Sequence, residues 1–232
     1  MSISANFPPY HLGGYGIRVG KIMDGLASRG HDVLLLTTRA RKVRKLGLDR
    51  SGYPIYRRLH NTYKAKWFPK ELLYDLLDKK ILEETIQEFN PQLIYLGHIY
   101  PITKQLLPFL STLDCPILCD EGGNSLKGAW TDHGRWFRLL TDFEFENRFL
   151  NKLLPFFKKI ILSITRGKLI DRWAWPEEMS IVFNSELNLQ NARYFGVPVQ
   201  KSRVIHSGVD ASKFSFKPRQ TLSSPLKILI PG

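Results

Sequence analysis

The 232 residues include only two cysteines, and 21 acids stand against 34 lysines and arginines. Each scarcity excludes something. Cys115 and Cys119 lie in one apolar stretch. On a strand they would share a face, so they read as buried thiols in a reducing cytoplasm rather than a disulfide framework or a metal clip. Long hydrophobic runs are missing too. IILSI at 160–164 and DVLLLTT at 32–38 fall far short of the roughly 20 residues that a transmembrane helix needs. The N-terminus has no basic segment ahead of an apolar core, so neither a membrane span nor a signal peptide is expected. No internal repeat, heptad pattern or low-complexity tract is present. With 43% apolar and 24% charged residues, the composition is that of a globular chain large enough for a full core.

The shortage of acids leaves a formal charge of +13, and the excess is concentrated. Residues 39–70 carry Arg39, Arg41, Lys42, Arg44, Lys45, Arg50, Arg57, Arg58, Lys64, Lys66 and Lys70 against Asp49 alone, with Tyr53, Tyr56, Tyr63, Trp67 and Phe68 between them. Cations gain Coulomb energy beside an anionic surface, and amphipathic rings suit a water boundary. The stretch therefore fits anionic lipid, nucleic acid or a polyanionic substrate, and fits equally a solvated loop that keeps the protein soluble. A second basic stretch, 147–170, holds six cations and no acid among Phe149, Leu153, Phe156, Phe157, Ile160, Ile161 and Ile164. Such a segment lies naturally in a headgroup plane, and just as naturally buries its apolar face in the core.

Along the chain, short β-type runs alternate with helical spacing, the pattern of a parallel sheet with crossover helices. Strands are expected at 2–7, 31–38, 91–98, 116–119, 179–185 and 202–208. Helices are expected from the glycines to Gly30, over 70–89, over 102–110, through a region at 136–175 interrupted by Pro155, and over 188–196 closing on Gly196. The loop after the second strand is assigned the basic cluster. This is an α/β, Rossmann-like, doubly wound parallel sheet. From Lys213 to Pro225 prolines and serines replace apolar periodicity, which reads as a linker, and LKILI then begins a new strand. The expected organisation is a domain over 1–212, a linker over 213–225 and the first strand of a second domain over 226–232.

NFPPYHLGGYGIRVG at 6–20 carries closely spaced glycines. A dinucleotide fingerprint would place its first glycine directly off the strand and an acid at the end of the second strand. Here PPYHL intervenes and the second strand ends in Thr37, Thr38 and Arg39. An NADP-linked oxidoreductase stays open only through Arg39. Alternatively, Gly13, Gly14, Tyr15 and Gly16 let the backbone approach a diphosphate at a helix N-terminus, where free N–H groups and the helix dipole favour negative charge. Taken alone, the stretch is explained at least as well by a plain turn.

The run PPYHLGGYGIRVGKIMDGLASRGHDVLLLTT resembles the opening of family-4 glycosyltransferases of the GT-B fold. Gly30, His31, Asp32 and Val33 match the start of that family's second strand. The resemblance continues at PQLIYLGHIY and is strongest at IVFNSELNLQNARYFGVPVQKSRVIHSGVDASKF, through Gly208, Val209, Asp210 and Phe214. It implies a retaining, two-domain hexosyltransferase that uses a nucleotide-sugar donor, such as a UDP-sugar, and a glycan or lipid-linked acceptor in polysaccharide biosynthesis. This chain would be the acceptor-side domain, inactive without the second wall of the cleft. Asn184, Ser185, His206, Gly208 and Asp210 would line the interdomain cleft.

Where the family often places a cleft histidine, this chain reads CDEGGNS. Asp120 and Glu121 are the catalytic candidates there, and Gly122, Gly123 and Asn124 are candidates for holding a sugar, with an Asx-type turn as the plain alternative. His11, before the glycines, and His98, at the carboxyl end of a strand, are expected to face the cleft. His31, His60 and His133 are expected to be structural or superficial. No D-x-D signature is present, Asp142, Glu144 and Glu146 fit the turns of a helix, and no metal is expected. A nucleic-acid-binding module rests on charge alone, with no recognisable reading helix, so nucleic acid is not an expected partner. The basic and aromatic stretches together suggest a cytoplasmic enzyme held peripherally at the inner face of the membrane.

Overall fold

The computed structural model describes residues 1–5, 7–9, 14–39, 52–62, 65, 68–132, 148–165, 173–209 and 211–213. Seven parallel strands form one sheet: β1 (Ser2–Ser4), β2 (Leu35–Thr38), β3 (Ile55–Leu59), β4 (Ile94–Leu96), β5 (Ile117–Glu121), β6 (Ser180–Phe183) and β7 (Ser202–Val204). Their spatial order is β3-β2-β1-β4-β5-β6-β7. Among the described residues the helices are α1 (Gly14–Ala27), α2 (Phe68–Phe89), α3 (Leu106–Leu110), α4 (Ser125–Thr131), α5 (Arg148–Thr165) and α6 (Glu186–Tyr194).

A strand buried on both faces is apolar throughout, and its period of two sends alternate side chains to opposite layers. Val33 and Leu35 join Val19 and Met23 of α1 in one apolar cluster, whereas Leu34 and Leu36 join Ile81 and Leu82 of α2 in the other. Ile94 and Leu96 of β4 face the α2 side, and Tyr95 between them faces α1. Cys119 is 1% exposed in the larger cluster and Cys115 packs against it, both as free thiols. Only Cys119 lies on a strand: Cys115 precedes β5 and is partly buried, so the two do not share a strand face as expected, although burial raises both thiols above their ordinary range.

Strand order reverses between β1 and β4, and open α/β sheets bind ligands outside the strand carboxyl ends at such a switch point. Close packing there depends on Gly97. A Cβ at that position would stand 2.6 Å from Val19 Cγ2 and 2.9 Å from Ser4 Oγ, so glycine is what allows α1 to settle against β1 and β4 just below the switch point. Gly30 (φ 82°) and Gly196 (φ 72°) end α1 and α6 in the left-handed conformation, as their glycine C-cap positions suggest.

Several elements differ from the sequence expectation. β3 lies in the stretch assigned to a basic loop. IYRRL takes the sheet edge, where charged side chains are tolerated because one flank is unpaired, and periodicity masked by arginine was not legible as a strand. The arginines there also work internally. Arg57 donates to the carbonyls of Phe7 (3.4 Å) and Pro8 (2.5 Å), and Arg58 pairs with Glu84 at 3.2 Å. α4 replaces the simple turn allowed after β5. α3 is shorter than its expected span, and β1 and β2 are shorter than the apolar runs containing them. α5 runs continuously through Pro155, where an interruption was expected. Of the linker and second-domain start expected at 213–232, Lys213 closes a 3₁₀ turn (Ala211–Lys213) and 214–232 lie outside the described residues, as do Asp142, Glu144, Glu146 and His133.

His60, expected to be structural, is 2.6 Å from Asp78 through Nδ1 and stacks on Tyr74 at 4.2 Å. Burial pushes the Asp78 carboxyl up, and the His60 contacts oppose that shift.

Candidate active site

Five loops or helix starts meet above the carboxyl edge of the sheet. The first is the start of α1. Tyr15, in its first turn, lies flat against His98 beyond β4, with ring centroids 5.1 Å apart. Its hydroxyl accepts from the Gly122 N–H at 2.6 Å and donates to Glu121 Oε1 at 2.5 Å. Burial, followed by the Glu121 charge, raises the Tyr15 hydroxyl far above its ordinary range, so it keeps its proton and remains a donor.

Glu121 is 2% exposed at the end of β5. Oε1 also accepts from the N–H groups of Gly123 (2.6 Å) and Ser125 (3.3 Å), and Oε2 accepts from the Leu126 N–H. The carboxylate thus satisfies first-turn donors of α4 that have no partner within the helix. Asn124, directly before α4, makes no side-chain cap, so the capping carboxylate comes from three residues further back and also holds Tyr15.

Asp120, 6% exposed, faces the other way. It forms an ion pair with Arg18 of α1 and accepts from the Tyr95 hydroxyl. Burial first, then the Asp120 charge, raises the Tyr95 hydroxyl. Arg18 reaches further and donates through Nη1 to Ser207 at 3.1 Å, beyond β7. Its guanidinium lies 3.1 Å from where a Cβ on Gly122 would stand, which explains a glycine at that position.

The far side is tied in by Asn184, after β6. Its Nδ2 donates to the Gly122 carbonyl at 3.2 Å, and its Oδ1 accepts from Asn188 at 2.6 Å. His206 Nδ1 is 3.1 Å from the Asn184 carbonyl oxygen. One hydrogen-bonded surface therefore runs from α1 across β4, β5 and β6 to the loop after β7.

Of the residues expected from sequence, Tyr15, His98, Asp120, Glu121, Gly122, Gly123, Asn184 and His206 come together here. Ser185 instead caps α6, its hydroxyl accepting from the Asn188 N–H at 3.3 Å. Gly14 begins α1 with no atom within 4 Å of where a Cβ would stand, and Gly208 is likewise open. Gly16 is buried on α1. His11, Gly13 and Asp210 lie outside the described residues. Arg39, which kept an NADP site open, donates Nε to the Arg58 carbonyl at 2.7 Å.

Sequence reading missed Arg18, Tyr95 and Ser207. Tyr95 had a usable signal, as a polar-tipped ring between Ile94 and Leu96 in a buried strand, where its hydroxyl requires a partner. Arg18 sits one turn into α1 with no local sign of a partner, and only the fold brings Asp120 beside it.

No curated protein matches the chain. The family model Glycosyltransferase Family 4 matches residues 12–213, from the glycine stretch to the 3₁₀ turn after β7. With that match covering nearly all of the described fold, and with a seven-stranded parallel sheet flanked by helices, the chain belongs to glycosyltransferase family 4.

Proposed function

We propose that this glycosyltransferase domain is the acceptor-side half of a retaining GT-B enzyme that transfers a hexose from a nucleotide sugar, such as a UDP-sugar, to a glycan or lipid-linked acceptor in polysaccharide biosynthesis. The observation that carries the reading is the convergence of the α1 N-terminus, His98 and the 121–124 turn above the switch point of the sheet. Residues 213–225 would be the linker to the nucleotide-binding half, and isolated 1–232 would not turn over, because a donor held by one wall stays hydrated.

In this reading the N–H groups opening α1 face the donor diphosphate, with Gly14 keeping the approach clear. The helix dipole and the free donors stabilise the charge that builds on the leaving phosphate as the bond to the anomeric carbon breaks. His98, stacked on Tyr15, presents a ring edge to sugar hydroxyls, and the Gly122-Gly123 backbone lets a sugar come close. Asp120 and Glu121 serve the site mainly through Arg18, Tyr95 and Tyr15, since their oxygens are already engaged. Asn184, His206 and Gly208 line the side facing the second domain. No metal is assigned a role. The enzyme would work in the cytoplasm, peripherally at the inner membrane face.

Equilibrium binding to the full-length protein tests the reading. Saturable binding of a radiolabelled nucleotide sugar is expected, with neither NADPH nor a random DNA duplex competing. Preferential binding of NADPH or duplex would overturn it.

A further inference from the structure

Helix α5 carries an exposed apolar strip. At about 100° of rotation per residue, Leu153, Phe156, Phe157 and Ile160 fall within roughly 100° of arc. All four are exposed, Phe156 by 62% and Phe157 by 44%. The helix packs through a different face, about 120° round, where Leu154 and Thr165 are buried. Among the described residues, the two phenylalanine rings make an aromatic contact only with each other, edge to face at 6.3 Å. Lys152 and Lys159 are exposed along the side of the strip away from the packed face, and the helix contains no acid.

A protein partner matched to this strip would meet uncompensated cations at its rim, whereas an anionic bilayer offers both an apolar layer for the rings and negative charge for the lysines at the headgroup level. No helix of the described residues is long and apolar enough to cross a membrane, so the contact would be superficial. We infer that α5 docks the enzyme on an anionic lipid surface, with Phe156 and Phe157 entering the headgroup–acyl boundary and Lys152 and Lys159 contacting lipid phosphates. This rests on the peripheral-membrane reading above and narrows it to one helix face, independently of the basic stretch at 39–70.

The test is flotation of the full-length protein with vesicles of phosphatidylcholine alone or mixed with phosphatidylglycerol, at low and high salt. The parent protein is expected to float with the mixed vesicles at low salt and to be released by salt. K152Q/K159Q should weaken that partition about 25-fold, fivefold for each cation, and F156S/F157S should abolish stable flotation. Tyr194, 84% exposed on α6, supplies the control, and Y194S should float like the parent. Equal flotation with both vesicle types, or parental flotation by F156S/F157S, overturns the assignment. So does a concentration-dependent dimer that F156S/F157S dissolves, which would make the strip a self-association face. Transfer to a water-soluble acceptor, measured alongside, separates failure of docking from failure of the glycosyltransferase reading. Vesicle-blind variants that still transfer leave the latter standing.

Discussion

Replacing Gly14 with valine is expected to abolish transfer while leaving the fold almost untouched. A Cβ at Gly14 meets no atom within 4 Å, and the positive-φ glycines among the described residues are Gly30 and Gly196. Among the described residues nothing demands glycine at position 14, neither a left-handed backbone nor a crowded neighbour. What remains is the ligand: a branched side chain would occupy the space through which a diphosphate reaches the first N–H groups of α1. The stability change should stay within about 0.5 kcal/mol, as for an exposed position. The value of kcat/KM should fall about 100-fold or more, the penalty for displacing a reacting group by about 1 Å. Thermal unfolding and steady-state kinetics on the full-length enzyme check the two halves separately. Unchanged kinetics would return the glycines to the role of a plain turn.

Removing the Glu121 side chain should act in the opposite way, through the fold first. E121A leaves the Tyr15 hydroxyl and the N–H groups of Gly123, Ser125 and Leu126 without their shared acceptor. Breaking a buried charged network costs about 3–5 kcal/mol, which for a chain of this size lowers the unfolding midpoint by about 10 °C. E121Q keeps the shape but turns an amide N–H₂ toward donors, so an intermediate loss is expected. The Tyr15 contact can be isolated by a cycle with Y15F. Residues sharing one buried hydrogen bond should couple by about 1 kcal/mol or more, whereas additive losses would mean that Tyr15 and Glu121 act independently. The Tyr15 hydroxyl, raised by burial and by the Glu121 charge, stays protonated across the assay range, so this coupling should not change between neutral and moderately alkaline pH.

The sheet was legible because parallel strands are buried on both faces. VLLL in the second strand and LIYL in β4 read as continuous apolar runs, and the glycines at 30 and 196 marked helix ends that they do form. β3 was lost because its two arginines hide the pattern on an edge strand, and their roles at Phe7, Pro8 and Glu84 are set by distant residues. At the site, Tyr15, His98 and residues 120–123 lie together above the sheet edge, whereas Ser185 caps a helix instead. The expected cleft lining of Tyr15, His98 and the CDEGGNS turn depends on strand ends, which sequence periodicity locates well. The pairing of Glu121 with the first turn of α4 depends on α4 existing, and SLKGAWT is too short and too mixed to announce a helix. The Arg18–Asp120 ion pair spans more than a hundred residues of chain, beyond the reach of any local pattern. The amphipathic character of the stretch around Phe156 was visible from spacing, but whether its apolar residues faced the core was decided only by the packing of Leu154 and Thr165.

In the proposed function the donor phosphates are received at the start of α1, above the carboxyl ends of β1 and β4. Amide hydrogen exchange on the full-length enzyme, with and without a nucleotide sugar, tests it most directly. Slower exchange is predicted at the N–H groups of Gly14, Tyr15 and Gly16, with a smaller effect through the Glu121 network at Gly122 and Gly123. Saturating nucleotide sugar that protects a second-domain site but leaves residues 14–16 unchanged would contradict it.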